Sequence, residues 1–250
     1  MGRAPQNPEE IFTEFKGDLQ KAFGEDLVSI VLYGSGATGE YHPGKSDLNF
    51  LVVLKDDSVG SLQRGLKHVT KWHKRMVNTP LFMIPAYIHS SLDSYPIEFL
   101  DMQANYRLVY GEDILKTLEF RPADVRVQCE RELKGKSLRL RQVYLEAQEK
   151  PRAMREIIAS SITAFTSLFQ GLLFLVRKEI PKTKREIIEL VSQEFGLDED
   201  TFMKLLAIKT GEAKATGQEI SELFKKYVGE IDALGKAVDR LPLEKEESET

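Results

Sequence analysis

Asp47 and Asn49 stand two residues apart in the run Ser46-Asp-Leu-Asn-Phe-Leu-Val-Val-Leu54. In a strand, residues two apart share a face, so these side chains project together while Leu48 and Phe50 turn towards a core. Adjacent oxygen ligands on a rigid element suit divalent cations and two-metal phosphoryl chemistry. A third acid is expected from a neighbouring strand, and Ile97-Glu98-Phe99 offers one with an apolar residue on either side. Alternation favours Glu98; its competitor Asp101 shares the face of Ile97 and Phe99 or lies just past the strand end. Upstream, Gly34 permits close backbone approach, and the Ser35 hydroxyl with nearby amides can hold phosphate at a helix start. Lys45, in the loop before Asp47, can neutralise phosphate charge. Taken singly, each feature also has an ordinary structural reading. Gly-Ser is common where a strand meets a turn, Asp47 can cap the turn after Lys45-Ser46, and Glu98 can be a solvated residue on an edge strand. Their order in the chain carries the argument.

That order is an apolar strand ending at Tyr33, Gly34-Ser35, eleven residues, then Asp47-Leu-Asn49 opening a second strand. It resembles the signature of the nucleotidyltransferase superfamily, the aminoglycoside nucleotidyltransferases especially. The resemblance implies an α+β fold, a nucleotidyltransferase-type mixed sheet with flanking helices followed by an all-α helical bundle. It also implies an NTP substrate, magnesium or manganese as cofactor, and transfer of a nucleoside monophosphate to a hydroxyl acceptor with release of pyrophosphate. Asp47 and Glu98 would be metal ligands, Glu98 also the general base, and Ser35 the phosphate contact. The acceptor, a small molecule or a macromolecule, stays open. Asn49 departs from the family pattern, because it offers a neutral amide where the family has its second metal-binding carboxylate. A rival reading follows: a catalytically weakened member acting as a nucleotide-binding or protein-interaction module.

A second motif competes on paper. Gly39-Glu-Tyr-His-Pro-Gly44-Lys45-Ser46 satisfies the phosphate-loop pattern G-x-x-x-x-G-K-[ST] letter for letter. Such a loop needs a helix beginning at its Lys-Ser, whereas an alternating β-branched run follows Ser46 directly. The match is coincidental.

The elements that must position these residues can be outlined. Residues 8–23 read as an amphipathic helix, 26–33 as a strand, and 60–77 as a helix with Leu62, Leu66, Val69 and Trp72 in one stripe. Short apolar runs follow at 80–84 and 95–101, the latter expected as a strand, with a last strand or turn at 106–111. Beyond Pro122 only helical patterns occur, over about 124–149, 153–178, 182–195, 199–209 and 217–240, punctuated by Pro151, Pro181 and Gly196. The expected division is 1–121 for the nucleotidyltransferase-like domain, 122–243 for the bundle, and a disordered acidic tail at 244–250. In the bundle, Lys134 and Arg141 share a helix face, either as a solvated stripe or as contacts for an anionic ligand. No His occurs after His89, which argues against Arg…His ribonuclease chemistry there.

Bulk properties bound the function. A formal charge of −4 argues against broad nucleic-acid binding, which needs clustered Lys and Arg. The single Cys129 cannot form an internal disulfide, so the cytoplasm is the expected compartment. Residues 157–176 carry no charge and are long enough to span a bilayer. Scattered Ser, Thr and Gln within them favour a buried bundle helix, and no membrane partner is expected.

Overall fold

The computed structural model describes residues 4–148, 150–213 and 215–241. The tail expected over 244–250 lies outside the described residues. Contacts divide the chain into two units. One ends at Tyr95 and resumes over Phe99–Glu119; the other comprises Pro96–Glu98 and the chain from Phe120 onwards.

The N-terminal unit is a four-stranded mixed sheet with flanking helices. In chain order it holds α1 (Phe12–Phe23), β1 (Leu27–Tyr33), α2 (Ser35–Thr38), β2 (Asn49–Leu54), α3 (Val59–Leu62), α4 (Leu66–His73), β3 (Leu81–Met83), α5 (Pro85–Ser90), α6 (Pro96–Ala104) from Phe99 onwards, and β4 (Tyr106–Gly111). The strand order is β3-β2-β1-β4. β1 pairs antiparallel with both β2 and β4, and β3 runs parallel to β2. Period-2 patterning sets the register: Ile30, Leu32, Leu48, Phe50 and Val52 join the core cluster that also holds Phe15, Leu19 and Phe23 of α1. Phe15 lies tilted on Phe50 with ring centroids 4.3 Å apart and meets Trp72 edge-on at 5.2 Å.

Two expectations are corrected here. The segment over 60–77 forms two helices, and its inward face is Ser61, Gly65, His68 and Trp72, while Leu66 is exposed. Gly65 explains the rotation, since a Cβ there would come within 2.9 Å of the Phe23 ring. Asp18 of α1 fixes it further, accepting from Trp72 Nε1 at 3.0 Å and Lys71 Nζ at 2.6 Å. The run over 95–101 is not a strand; it opens helix α6, with Pro96 at the first position. Proline suits that position because its missing N–H would have no intrahelical partner there anyway.

The helical unit contains α7 (Pro122–Ala147), α8 (Pro151–Leu175), α9 (Lys184–Phe195), α10 (Glu199–Thr210) and α11 (Gly217–Val238). Proline starts α7 and α8, and capping boxes Thr183/Glu186 and Thr216/Glu219 start α9 and α11. Helix α8 is long and apolar enough to cross a membrane, but it packs against α7, α9, α10 and α11. Its Phe165 and Phe169 join Phe202 and Tyr227 in an edge-to-face aromatic core. The Tyr227 hydroxyl donates to Ser161 Oγ at 3.2 Å, so its polar tip is satisfied. Cys129 is fully buried, and burial pushes its thiol pKa well up, which fits an inert core residue.

Candidate functional site

The site grows from the end of β1. Gly34 follows Tyr33 with φ 72° and ψ −153°, a conformation open essentially to glycine alone. That geometry turns the chain off the sheet edge into α2, where Ala37 N–H donates to the Gly34 carbonyl at 2.8 Å. Ser35 is therefore the first residue of a helical turn, as expected. The loop back to the sheet is folded on itself: Lys45 N–H and Ser46 N–H both donate to the His42 carbonyl, and His42 N–H donates to Ser46 Oγ at 3.1 Å. Lys45 is exposed on this loop. No helix begins at Lys45-Ser46, so the structure rejects the phosphate-loop reading.

Strand β2 opens opposite the end of β1, Asn49 pairing with Tyr33, while Leu48 and Phe50 are buried. Asp47 is exposed just before the strand. Its charge reaches Tyr41, whose pKa is raised first by burial and then by Glu10 and Asp47. Asn49 lies beside the Gly34 turn, with Nδ2 3.5 Å from where a Cβ on Gly34 would stand.

Asn49 is not alone. Asn78 Nδ2 donates to Asn49 Oδ1 at 2.8 Å, and Asn78 N–H donates to the Leu48 carbonyl at 3.0 Å. The chain reaches this position through Met76, which adopts a left-handed φ of 63° and accepts from Leu48 N–H at 2.8 Å. Sequence reading missed Asn78. Its one local signal was a turn-prone Asn-Thr-Pro sequence, which says nothing about its reaching Asn49.

The two candidate third acids lie on α6. Because that segment is helical, strand alternation does not separate them. Asp101 belongs to the N-terminal unit, where, after burial, its charge helps raise the pKa of Tyr33, the cross-strand partner of Asn49. Glu98 groups with the helical unit and accepts from Gln128 Nε2 at 2.6 Å. Gln128 Oε1 in turn accepts from Ile97 N–H at 2.8 Å, so one buried amide fixes the first turn of α6.

Among the described residues of the N-terminal unit, no three His, Cys, Asp or Glu side chains gather as ligands of one metal ion. Asp47 supplies one carboxylate, and the Asn49 amide oxygen already accepts a hydrogen bond. These donors do not fit a resident pair of divalent cations, which takes several carboxylates. In the helical unit, Arg141 Nη2 donates to both carboxylate oxygens of Asp232, at 2.8 and 2.7 Å, and Lys134 meets Asp239 at 3.1 Å.

Comparison with known proteins agrees with the fold. Spectinomycin adenyltransferase AAD(9) from Enterococcus faecialis, solved with ATP and spectinomycin, superposes with a TM-score of 0.57 at 15% identity, covering 94% of this chain and 100% of that one. No curated protein matches the sequence. Residues 13–105 match the nucleotidyltransferase domain family, a span holding the Gly34-Ser35 turn, Asp47, Asn49, Asn78 and both candidate acids. The N-terminal part of this chain is therefore a nucleotidyltransferase domain, a member of the nucleotidyltransferase superfamily.

Proposed function

We propose that this domain binds a nucleoside triphosphate, delivered as its magnesium or manganese complex, and transfers the nucleoside monophosphate to a hydroxyl of a small molecule. The acceptor oxygen forms the new bond to the α-phosphorus, pyrophosphate leaves, and the hydroxyl proton passes to a base. The observation carrying this reading is the joint placement of the Gly34-Ser35 turn and the Asp47–Asn49 segment at adjacent ends of β1 and β2. Ser35 and Lys45 are assigned to the phosphates and Asp47 to the cation carried by the substrate. Glu98 and Asp101 are the alternatives for the base. That the similar adenyltransferase was solved with ATP and spectinomycin supports ATP and a small-molecule acceptor as first choices. We place the protein in the cytoplasm, where nucleoside triphosphates are abundant.

A second reading is favoured by one observation, the Asn49–Asn78 amide pair. A site with one carboxylate suits a module that binds nucleotide without turning it over. Calorimetric titration of ATP, GTP, CTP and UTP with and without magnesium, on the native chain and on Asp47→Ala, tests the site. Triphosphate binding whose response to magnesium is lost in Asp47→Ala supports it, and no binding to any triphosphate removes both readings. Pyrophosphate release across a panel of hydroxyl acceptors then separates transferase from module, and Glu98→Gln and Asp101→Asn identify the base.

A further inference from the structure

The Asn49 amide has two ends, and the structure gives them different tasks. Its oxygen is taken by Asn78 Nδ2 at 2.8 Å. Its nitrogen faces the Gly34 turn, 3.5 Å from the Cβ position of that glycine, and makes no hydrogen bond among the described residues. Asn78 is itself held at two points, by its side chain to Asn49 and by its backbone N–H to the Leu48 carbonyl at 3.0 Å. A neutral amide presents either a donor or an acceptor to a ligand, depending on which way it is turned. In the pair as it stands, Asn78 Nδ2 donates, so the Asn49 oxygen faces Asn78 and its NH2 faces the Gly34 turn.

We propose that Asn78 is a positioning residue that turns the Asn49 NH2 towards the phosphate site, so that a triphosphate oxygen is held by a neutral donor and no divalent cation is needed for binding. The proposal rests on the triphosphate site described above and changes what that site requires. A carboxylate at position 49 would face the polyanion with like charge, and a cation would have to lie between them. The amide removes that repulsion and adds a hydrogen bond to an anion, a stronger class than one between neutral groups. Asp47 keeps the cation that accompanies the substrate, so holding the nucleotide and transferring it have separate metal requirements.

The test is a ratio, the dissociation constant of ATP in EDTA divided by that in magnesium, measured by calorimetry on the full chain. In the native protein this ratio is expected to stay within about threefold, well under the tenfold that corresponds to 1.4 kcal/mol. Asn49→Asp is expected to raise it beyond about tenfold by restoring the need for a cation. Asn78→Asp offers only acceptors, so it should turn the Asn49 oxygen towards the ligand and raise the ratio as well. Asn78→Ala, at an exposed position, should raise it less without lowering the melting temperature. A native ratio above tenfold overturns the inference while leaving the triphosphate site standing. An unchanged ratio in Asn49→Asp overturns it too. Failure of the native chain to bind ATP in either buffer removes the site and the inference together.

Discussion

In the N-terminal unit, polar side chains reach far along the sequence to partners on other elements; in the helical unit such reaches, as in Arg141–Asp232 and Tyr227–Ser161, stand beside a series of ion pairs one turn apart on the same helix. Asn78 reaches back 29 residues to Asn49, Trp72 reaches 54 residues to Asp18, and Ser29 Oγ donates to the Glu112 carbonyl 83 residues ahead. The pairs Arg126–Glu130, Lys136–Glu132, Arg152–Glu156 and Lys204–Asp200 are all i,i+4. Pairs of the second kind lie at helix surfaces and contribute little each. Those of the first kind fix one side chain against another from a different element, which a binding constellation requires. The contrast is one of degree: polar contacts between elements occur in both units, and the series of same-helix pairs is a feature of the second, around its large apolar core.

That contrast can be broken from either side, and the largest effect is expected in the helical unit. Phe202 is fully buried, with Phe169 at 5.5 Å and Tyr227 at 5.9 Å. Phe202→Ala should cost about 3–5 kcal/mol in a denaturant melt of the full chain. A loss well under 2 kcal/mol would mean that the helical core is not packed as described. Gly34→Ala comes next, because only glycine tolerates φ 72° with ψ −153°. It should cost about 1–3 kcal/mol and weaken triphosphate binding together with stability, the mark of a turn that serves both.

A pH-dependent effect follows. Burial raises the Asp18 pKa, but Lys71, Trp72 and His68 together outweigh it, so the carboxyl lies below the usual range. A folded pKa depressed below the unfolded one stabilises above the unfolded value, about 3.9, and that contribution fades as pH falls through the folded value. Acid melts should therefore show Asp18→Asn less stable than the native chain at pH 6 and the gap narrowing below about pH 4. A gap independent of pH would mean that the charge of the Asp18 carboxylate is not the source of the effect. The smallest change is expected for Arg141→Gln, which removes a half-exposed pair with Asp232. It should cost under about 1 kcal/mol and leave ATP affinity unaltered. A marked loss of affinity would revive Arg141 as an anion contact and blur the division between the units.

Much of this was legible in the sequence, for identifiable reasons. The strands β1 and β2 and the Gly34-Ser35 turn follow from a period of two and from glycine's backbone freedom, both local properties, whereas Asp47 falls just before β2, outside the strand in which it was expected. The five long helices follow from apolar spacing with proline and glycine at their ends. The segment 95–101 was misread because a short apolar run has no unambiguous period, and Pro96 marks a helix start as readily as an edge strand. The stripe over 60–77 was misplaced because Gly65 and His68 do not look like core residues. Gly65 lies inside because the Phe23 ring fills the space of its missing side chain. Asp18 left a trace, an acid three residues after Phe15 on the apolar face of α1. Asn78 left almost none, since its contact depends on the backward turn at Met76.

The position of β1 between β2 and β4 also sets an order of events during synthesis. A hairpin of β1 and β2 can form once residue 54 has emerged, but one edge of β1 stays unpaired until Tyr106–Gly111 follows. Over that interval the nascent chain carries an open apolar strand edge, the kind of surface that recruits other chains or holding factors. The helices of the second unit also wait for α11, which packs on α7 and α8, but each helix satisfies its own backbone hydrogen bonds and leaves no strand edge open meanwhile. Aggregation of shortened chains should therefore peak for those ending between β2 and β4, and should fall once β4 is included.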